Sequence, residues 1–156
     1  MYSDAGCRDK GNVNTMPAKI SVSFPTADLE RSKAFYTAIG AAIDPLLTDS
    51  RVACLVWDHD LQFMLLTREF FAEFTDEPVA DPATSAQVQI ALALDSRAAV
   101  DTVVQAGLRA GGSEPRPAQD HGFMYDRDLE DPDGNNLAFV CVALPAVEQG
   151  EKVTAR

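Results

Sequence analysis

The sequence predicts an α+β domain of two βαβββ modules whose strands form a curved mixed-sheet cup, and three observations carry that prediction. A strand pattern followed by a helix and a glycine stop occurs twice, over 19–40 and again over 87–112. After each helix come further short apolar runs separated by Asp, Ser, Pro and Gly turn residues. Matching positions keep a nearly constant offset: Ser21 to Gln89 is 68 residues, Gly40 to Gly111 is 71, and Asp58 to Asp131 is 73. Duplication at this scale implies two curved sheets whose inner faces enclose a cavity, where a ligand would sit.

Residues 1–18 are polar, without helical or strand periodicity, and read as a tail. The domain is expected over 19–143, as modules of about 19–75 and 86–143, with a second tail at 144–156. In the first module Ile20, Val22 and Phe24 alternate with Ser21 and Ser23, the period of a half-buried strand that Pro25 is expected to stop. Asp28 is placed to cap a helix carrying Leu29, Tyr36 and Ile39 until Gly40 ends it. Strands are expected near Ala42 to Leu47, Arg51 to Trp57 and Leu61 to Thr67, and Phe70, Phe71 and Phe74 resemble a short helix over the sheet or the flank of a subunit interface.

The second module opens with Val88, Ile90, Leu92 and Leu94 alternating with Gln and Ala. A helix through Val100, Val103, Val104 and Leu108 then runs to Gly111 and Gly112. A short strand near Ser113 to Arg116, a strand near Phe123 to Glu130, the turn Asp131 to Asn135 and a last strand from Leu137 to Ala143 complete it.

Composition limits the partners. The chain has 156 residues, 46% of them hydrophobic, and 13 Lys plus Arg against 24 Asp plus Glu leave a net charge of −11. That is enough apolar material for one real core, and no apolar run approaches the ~20 residues of a membrane-spanning helix. Such acidity repels nucleic acid and anionic membranes and favours a cationic small-molecule ligand. The cysteines Cys7, Cys54 and Cys141 are odd in number and widely spaced, so neither a disulfide framework nor a zinc knuckle is implied, and a reducing cytoplasmic setting is expected.

The run from Asp28 to Tyr36, the Ala110, Gly111, Gly112 helix stop and the turn from Glu130 to Asn135 together resemble the vicinal oxygen chelate superfamily. That superfamily includes glyoxalase I, bleomycin resistance proteins and extradiol dioxygenases. The stretch from Gln119 to Tyr125 resembles an uncharacterised glyoxalase-like branch of it. The resemblance covers residues 19–143 and implies the glyoxalase/bleomycin resistance fold and, since members pair modules between chains, a homodimer. In metal-dependent members a divalent cation sits in the cup on His, Glu or Gln side chains. Carried across position by position, those corners fall at Ser21, Gln62, Gln89 and Ala138, and none of these is an acid or an imidazole. Neutral donors do not readily offset the dehydration of a divalent ion, and a methyl group offers nothing.

The remaining candidates for the cup each admit two readings. His121 is a functional group, as a general acid or base or an outlying metal ligand, or it is a loop histidine before a strand. Tyr125 and Arg127 share one face of a strand and Asp126 and Asp128 the other, so one pair faces the cup. Trp57 is an apolar wall or ordinary core. The sequence therefore predicts metal-independent small-molecule binding or sequestration with no cofactor. The alternatives are a metal-dependent lyase or dioxygenase of the same superfamily, and a partner-binding domain whose cup is filled by its own side chains.

Overall fold

A computed structural model describes residues 18–143; the expected tails, apart from Ala18, lie outside the described residues, as does Cys7. The first module runs β1 (Ile20–Thr26), α1 (Leu29–Ala38), β2 (Ala42–Asp44), β3 (Val52–Asp58), β4 (Leu61–Thr67) and a short α2 (Arg68–Ala72). The second runs β5 (Gln89–Ala93), α3 (Arg97–Arg109), β6 (Gln119–Asp120), β7 (Met124–Glu130) and β8 (Asn136–Val142). Each module forms one open four-stranded mixed sheet, in the orders β1-β4-β3-β2 and β5-β8-β7-β6. The β1–β4 and β5–β8 pairs are parallel and the rest antiparallel, so the two sheets repeat one topology.

Local chemistry explains both the matches and the departures. The Asp28 carboxylate accepts the Arg31 N–H at 3.0 Å and caps α1, and Ser96 caps α3 through Ala99 N–H at 3.1 Å. Pro25 does not end β1, which continues to Thr26; β1 is an edge strand, where a missing N–H costs no ladder bond. The strand expected from Ala42 to Leu47 stops at Asp44, because Pro45 starts a 3-10 turn whose Leu46 N–H is capped by the Asp44 carboxylate at 2.9 Å. The strand expected at Ser113 to Arg116 is reduced to a bridge between Ser113 and Glu130, and its place at the sheet edge is taken by β6.

Each sheet has one face covered by its helix, α1 on β3 and β4 and α3 on β7 and β8, and the two helices also touch each other. Phe35, Tyr36, Phe63, Val104, Leu129 and Phe139, all fully buried, belong to one continuous core. Close approach depends on two glycines. A Cβ at Gly107 would lie 2.4 Å from Leu129 Cδ2, and one at Gly112 would lie 2.7 Å from the Glu130 carbonyl oxygen and 2.8 Å from Phe35 Cε2. Since both sheets turn their helix-covered faces to this common core, their uncovered faces are directed away from it.

The modules are also joined by the turn before β8. Asp131 accepts the Asp133 and Asn135 N–H groups, the Asn135 amide at 2.8 Å and the Tyr36 hydroxyl at 2.8 Å. Burial pushes the Asp131 carboxyl up from its ordinary value, and burial followed by the Asp131 charge pushes the Tyr36 phenol up. Two residues on, Asp133 meets the start of α1. Its Oδ2 lies 2.7 Å from the Thr26 hydroxyl and 3.0 Å from the Ser32 hydroxyl, and its Oδ1 accepts Ala27 N–H at 3.0 Å and the Arg31 guanidinium at 2.9 Å.

Asp133→Ala removes all four of these contacts at a point where the acceptor is enclosed. A loss of about 2–3 kcal/mol is expected, read as a lower urea midpoint with unchanged slope. A loss below about 0.5 kcal/mol, the size of an ordinary surface change, would show that the turn does not hold the modules together.

Candidate ligand-binding site

The uncovered face of the first sheet follows from strand alternation. Val22 and Phe24 of β1, Ala53 and Leu55 of β3, and Phe63 and Leu65 of β4 point to the core; Ser21, Ser23, Val52, Cys54, Val56, Gln62, Met64 and Leu66 point the other way. The register places Ser23 beside Met64 and Val52 beside Leu66. α2 follows β4 without a connecting residue: Thr67 ends the strand, and its hydroxyl accepts the Phe70 N–H at 3.3 Å as the helix cap. This turn folds the aromatic run back over the sheet.

The result is a cavity of about 430 Å³ lined by Ser23, Val52, Met64, Leu66, Phe70, Phe71 and Phe74. Phe70 and Phe74 pack edge to face with centroids 5.1 Å apart, and the Arg51 guanidinium lies 4.2 Å from the Phe70 centroid. The lining has a single polar side chain, the Ser23 hydroxyl, and no charged one. Farther along the same face Gln62 donates its amide to Ser21 at 3.4 Å, and the Cys54 thiol lies 3.7 Å from the Gln62 carbonyl oxygen. Burial, with the Asp44 charge second, pushes that thiol's pKa up and makes it a poor nucleophile.

The uncovered face of the second sheet is polar. Gln89 donates to Asp128 Oδ1 at 2.9 Å, Arg116 Nε donates to Asp128 Oδ2 at 2.6 Å, and His121 Nε2 stands 3.4 Å from Asp126 Oδ1. Ala138 lies between Ala91 and Asp128 in the register. The structure thus brings Ser21 to Gln62 on one face, and Gln89 and Ala138 together on another with His121 at the margin. Trp57, Tyr125 and Arg127 are set apart from all of these. Trp57 is partly buried and packs against the core, its ring 5.5 Å from that of Phe63. Tyr125 donates to Asp101 of α3 at 2.7 Å, and Arg127 is clamped between Asp101 at 2.9 Å and Glu114 at 2.8 Å. Of the two pairs on β7, Asp126 and Asp128 therefore take the uncovered face. The missed signal is Leu129: a buried leucine sets the phase, and Arg127 and Tyr125 fall on its side.

No family model and no curated protein matches this chain. Solved structures do. A glyoxalase/bleomycin resistance protein/dioxygenase family enzyme from Burkholderia phytofirmans superposes with TM-score 0.66 at 19% identity, covering 78% of this chain and 96% of its own. Lactoylglutathione lyase from Agrobacterium tumefaciens gives 0.61 at 16% identity over 81% and 95%, and a bleomycin resistance determinant encoded on the transposon Tn5 gives 0.56 at 20% over 82% and 100%. The chain has the glyoxalase/bleomycin resistance fold, as the motif resemblance implied.

The residues at the four corners do not fit a divalent metal. Ser21 and Gln62 bond each other on one sheet, Gln89 is engaged by Asp128 on the other, both Asp128 oxygens already accept hydrogen bonds, and Ala138 has no donor atom. Among the described residues no three His, Cys, Asp or Glu side chains converge. The purified protein is expected to carry no stoichiometric Zn, Ni, Fe or Mn by elemental analysis, and EDTA to leave its Tm unchanged. One equivalent of tightly held metal would overturn the corner assignment.

Proposed function

We propose that this protein binds a small aromatic molecule in the cleft between the first sheet and α2 without a metal, and acts by sequestration or sensing. The observation that carries this reading is the lining: three phenylalanines, a thioether and two aliphatic side chains around one hydroxyl, in a cavity of about 430 Å³. Binding sites for small molecules are typically concave, mostly apolar and furnished with few polar groups. Phe rings and a Met sulfur favour flat aromatic faces over branched aliphatic ones. The fold alone does not choose between binding and turnover, since structures with this fold include both a resistance determinant and a lyase. No His, Asp, Glu or Lys lines the cleft to activate the Ser23 hydroxyl as a nucleophile, which favours binding.

We further propose that the protein is a homodimer. Apart from the short α2, both sheets leave one face open, and Phe74, Phe123 and Val142 remain 69%, 60% and 44% exposed. A two-fold partner laid over these faces would cover them and enclose the cleft. The described cysteines, Cys54 and Cys141, are free thiols, in keeping with a reducing compartment, and no helix among the described residues is long and apolar enough to cross a membrane.

Two measurements test these readings. A neutral bicyclic aromatic such as 2-naphthol should raise the Tm, with little dependence on salt because no charge is engaged. Ser23→Trp, which fills the cleft from the exposed side of β1, should abolish that shift while the variant stays folded; a shift that survives the substitution would place the ligand elsewhere. Multi-angle light scattering at high micromolar concentration should give twice the chain mass, and a strictly monomeric result would refute the dimer.

A further inference from the structure

The cleft lining is uncharged, so the charge beside its wall decides which substituent a ligand can carry. That charge is Arg51. Its guanidinium stacks on Phe70, which is itself a cleft wall, and its main chain is fixed on both sides: the Arg51 carbonyl accepts the Thr67 N–H at 2.9 Å, and the Arg51 N–H is held by the Asp49 carboxylate at 2.7 Å. The guanidinium makes no hydrogen bond among the described residues. Its nearest acid is Glu73, with NH1 to Oε1 at 3.9 Å, and the two side chains are 56% and 63% exposed. Asp49 is the other acid close by, and its carboxylate is committed to the N–H groups of Arg51 and Val52, bonds that hold its pKa below the ordinary value.

By contrast Arg31, Arg68, Arg97, Arg116 and Arg127 each donate at least one guanidinium hydrogen bond to another group of the protein. Arg51 is therefore a cation held in place beside an apolar slot, with its bidentate fork still available. We propose that the cleft selects a planar aromatic body bearing one carboxylate, the ring system between Met64 and the phenylalanines and the carboxylate on Arg51. This rests on the cleft being the ligand site. The net charge of −11 on its own favours a cation. Charges beyond a Debye length of ~8–10 Å are largely screened, whereas a guanidinium at contact distance is not. The exposed Arg51–Glu73 pair is too long and too hydrated to hold the cation against a ligand carboxylate.

The experiment is calorimetric titration of the full chain with three probes that share one ring system: 2-naphthoate, 2-naphthamide and 2-naphthylmethylammonium. The wild type should bind naphthoate about tenfold more tightly than the amide, the scale of one charge-assisted hydrogen bond, with the ammonium weakest. Arg51→Gln should erase the margin and leave amide affinity within about twofold, and Glu73→Gln should widen it about twofold to threefold, as expected for removing one exposed counter-charge. Equal binding of naphthoate and amide, a tighter ammonium, or a margin that survives Arg51→Gln overturns the carboxylate assignment and leaves the aromatic cleft standing. If none of the three binds at millimolar concentration, or Ser23→Trp binds naphthoate as well as the wild type does, the cleft reading falls together with it.

Discussion

The constraint on which this structure depends is that two sheets share a single helical core. α1 and α3 touch, Gly107 and Gly112 let Leu129 and Phe35 close against them, and Asp131 and Asp133 tie the last turn of the second module to the first helix of the first. Each sheet therefore has one face committed to the fold and one face left over. Burial of the Asp131 carboxylate is costly, and the donors gathered on it offset that cost while fixing the turn's geometry. A polar clamp of this kind specifies how the modules meet, which an apolar core alone leaves loosely defined.

The leftover faces have diverged although their topologies match. On the first, Val52, Met64 and Leu66 meet an aromatic roof; on the second, Gln89, Arg116 and Asp128 bond one another and His121 stands by Asp126. The repeated topology fixes the backbone and leaves the outward positions free, because a side chain pointing away from the core is not constrained by core packing. This is the physical reason that fold can be read across a structural match at low sequence identity while chemistry cannot.

Much of the fold was legible in the sequence, and the illegible parts have particular causes. β4 was readable to the residue, and the cap of α1 and both glycine stops fell where Asp28, Gly40 and Gly111 place them, whereas the Ser96 cap of α3 emerged only from the structure. Pro25 misled because a proline ends a strand only where its missing N–H is needed, and edge position is a property of the whole sheet. The site was harder. β7 has acids on one face and Tyr125 with Arg127 on the other, so polarity alone could not orient it; Arg127 is buried because Asp101 and Glu114 neutralise it, an arrangement made across elements. Trp57 stood among apolar neighbours on both faces and next to a shift in strand register, so its side was equally hidden. The phenylalanine run was visible, but that it roofs a cleft depends on the direction in which the chain leaves β4.

That direction has a kinetic side. Because Thr67 closes the strand and caps the helix at once, the N-terminal end of the aromatic roof is pinned to the sheet by the Thr67 N–H bond to Arg51 and by the Phe70 N–H bond to the Thr67 hydroxyl. For the ligand proposed above, the expected route into the cleft runs past the far end of α2, where Phe74 stands largely in solvent ahead of the irregular stretch 75–88.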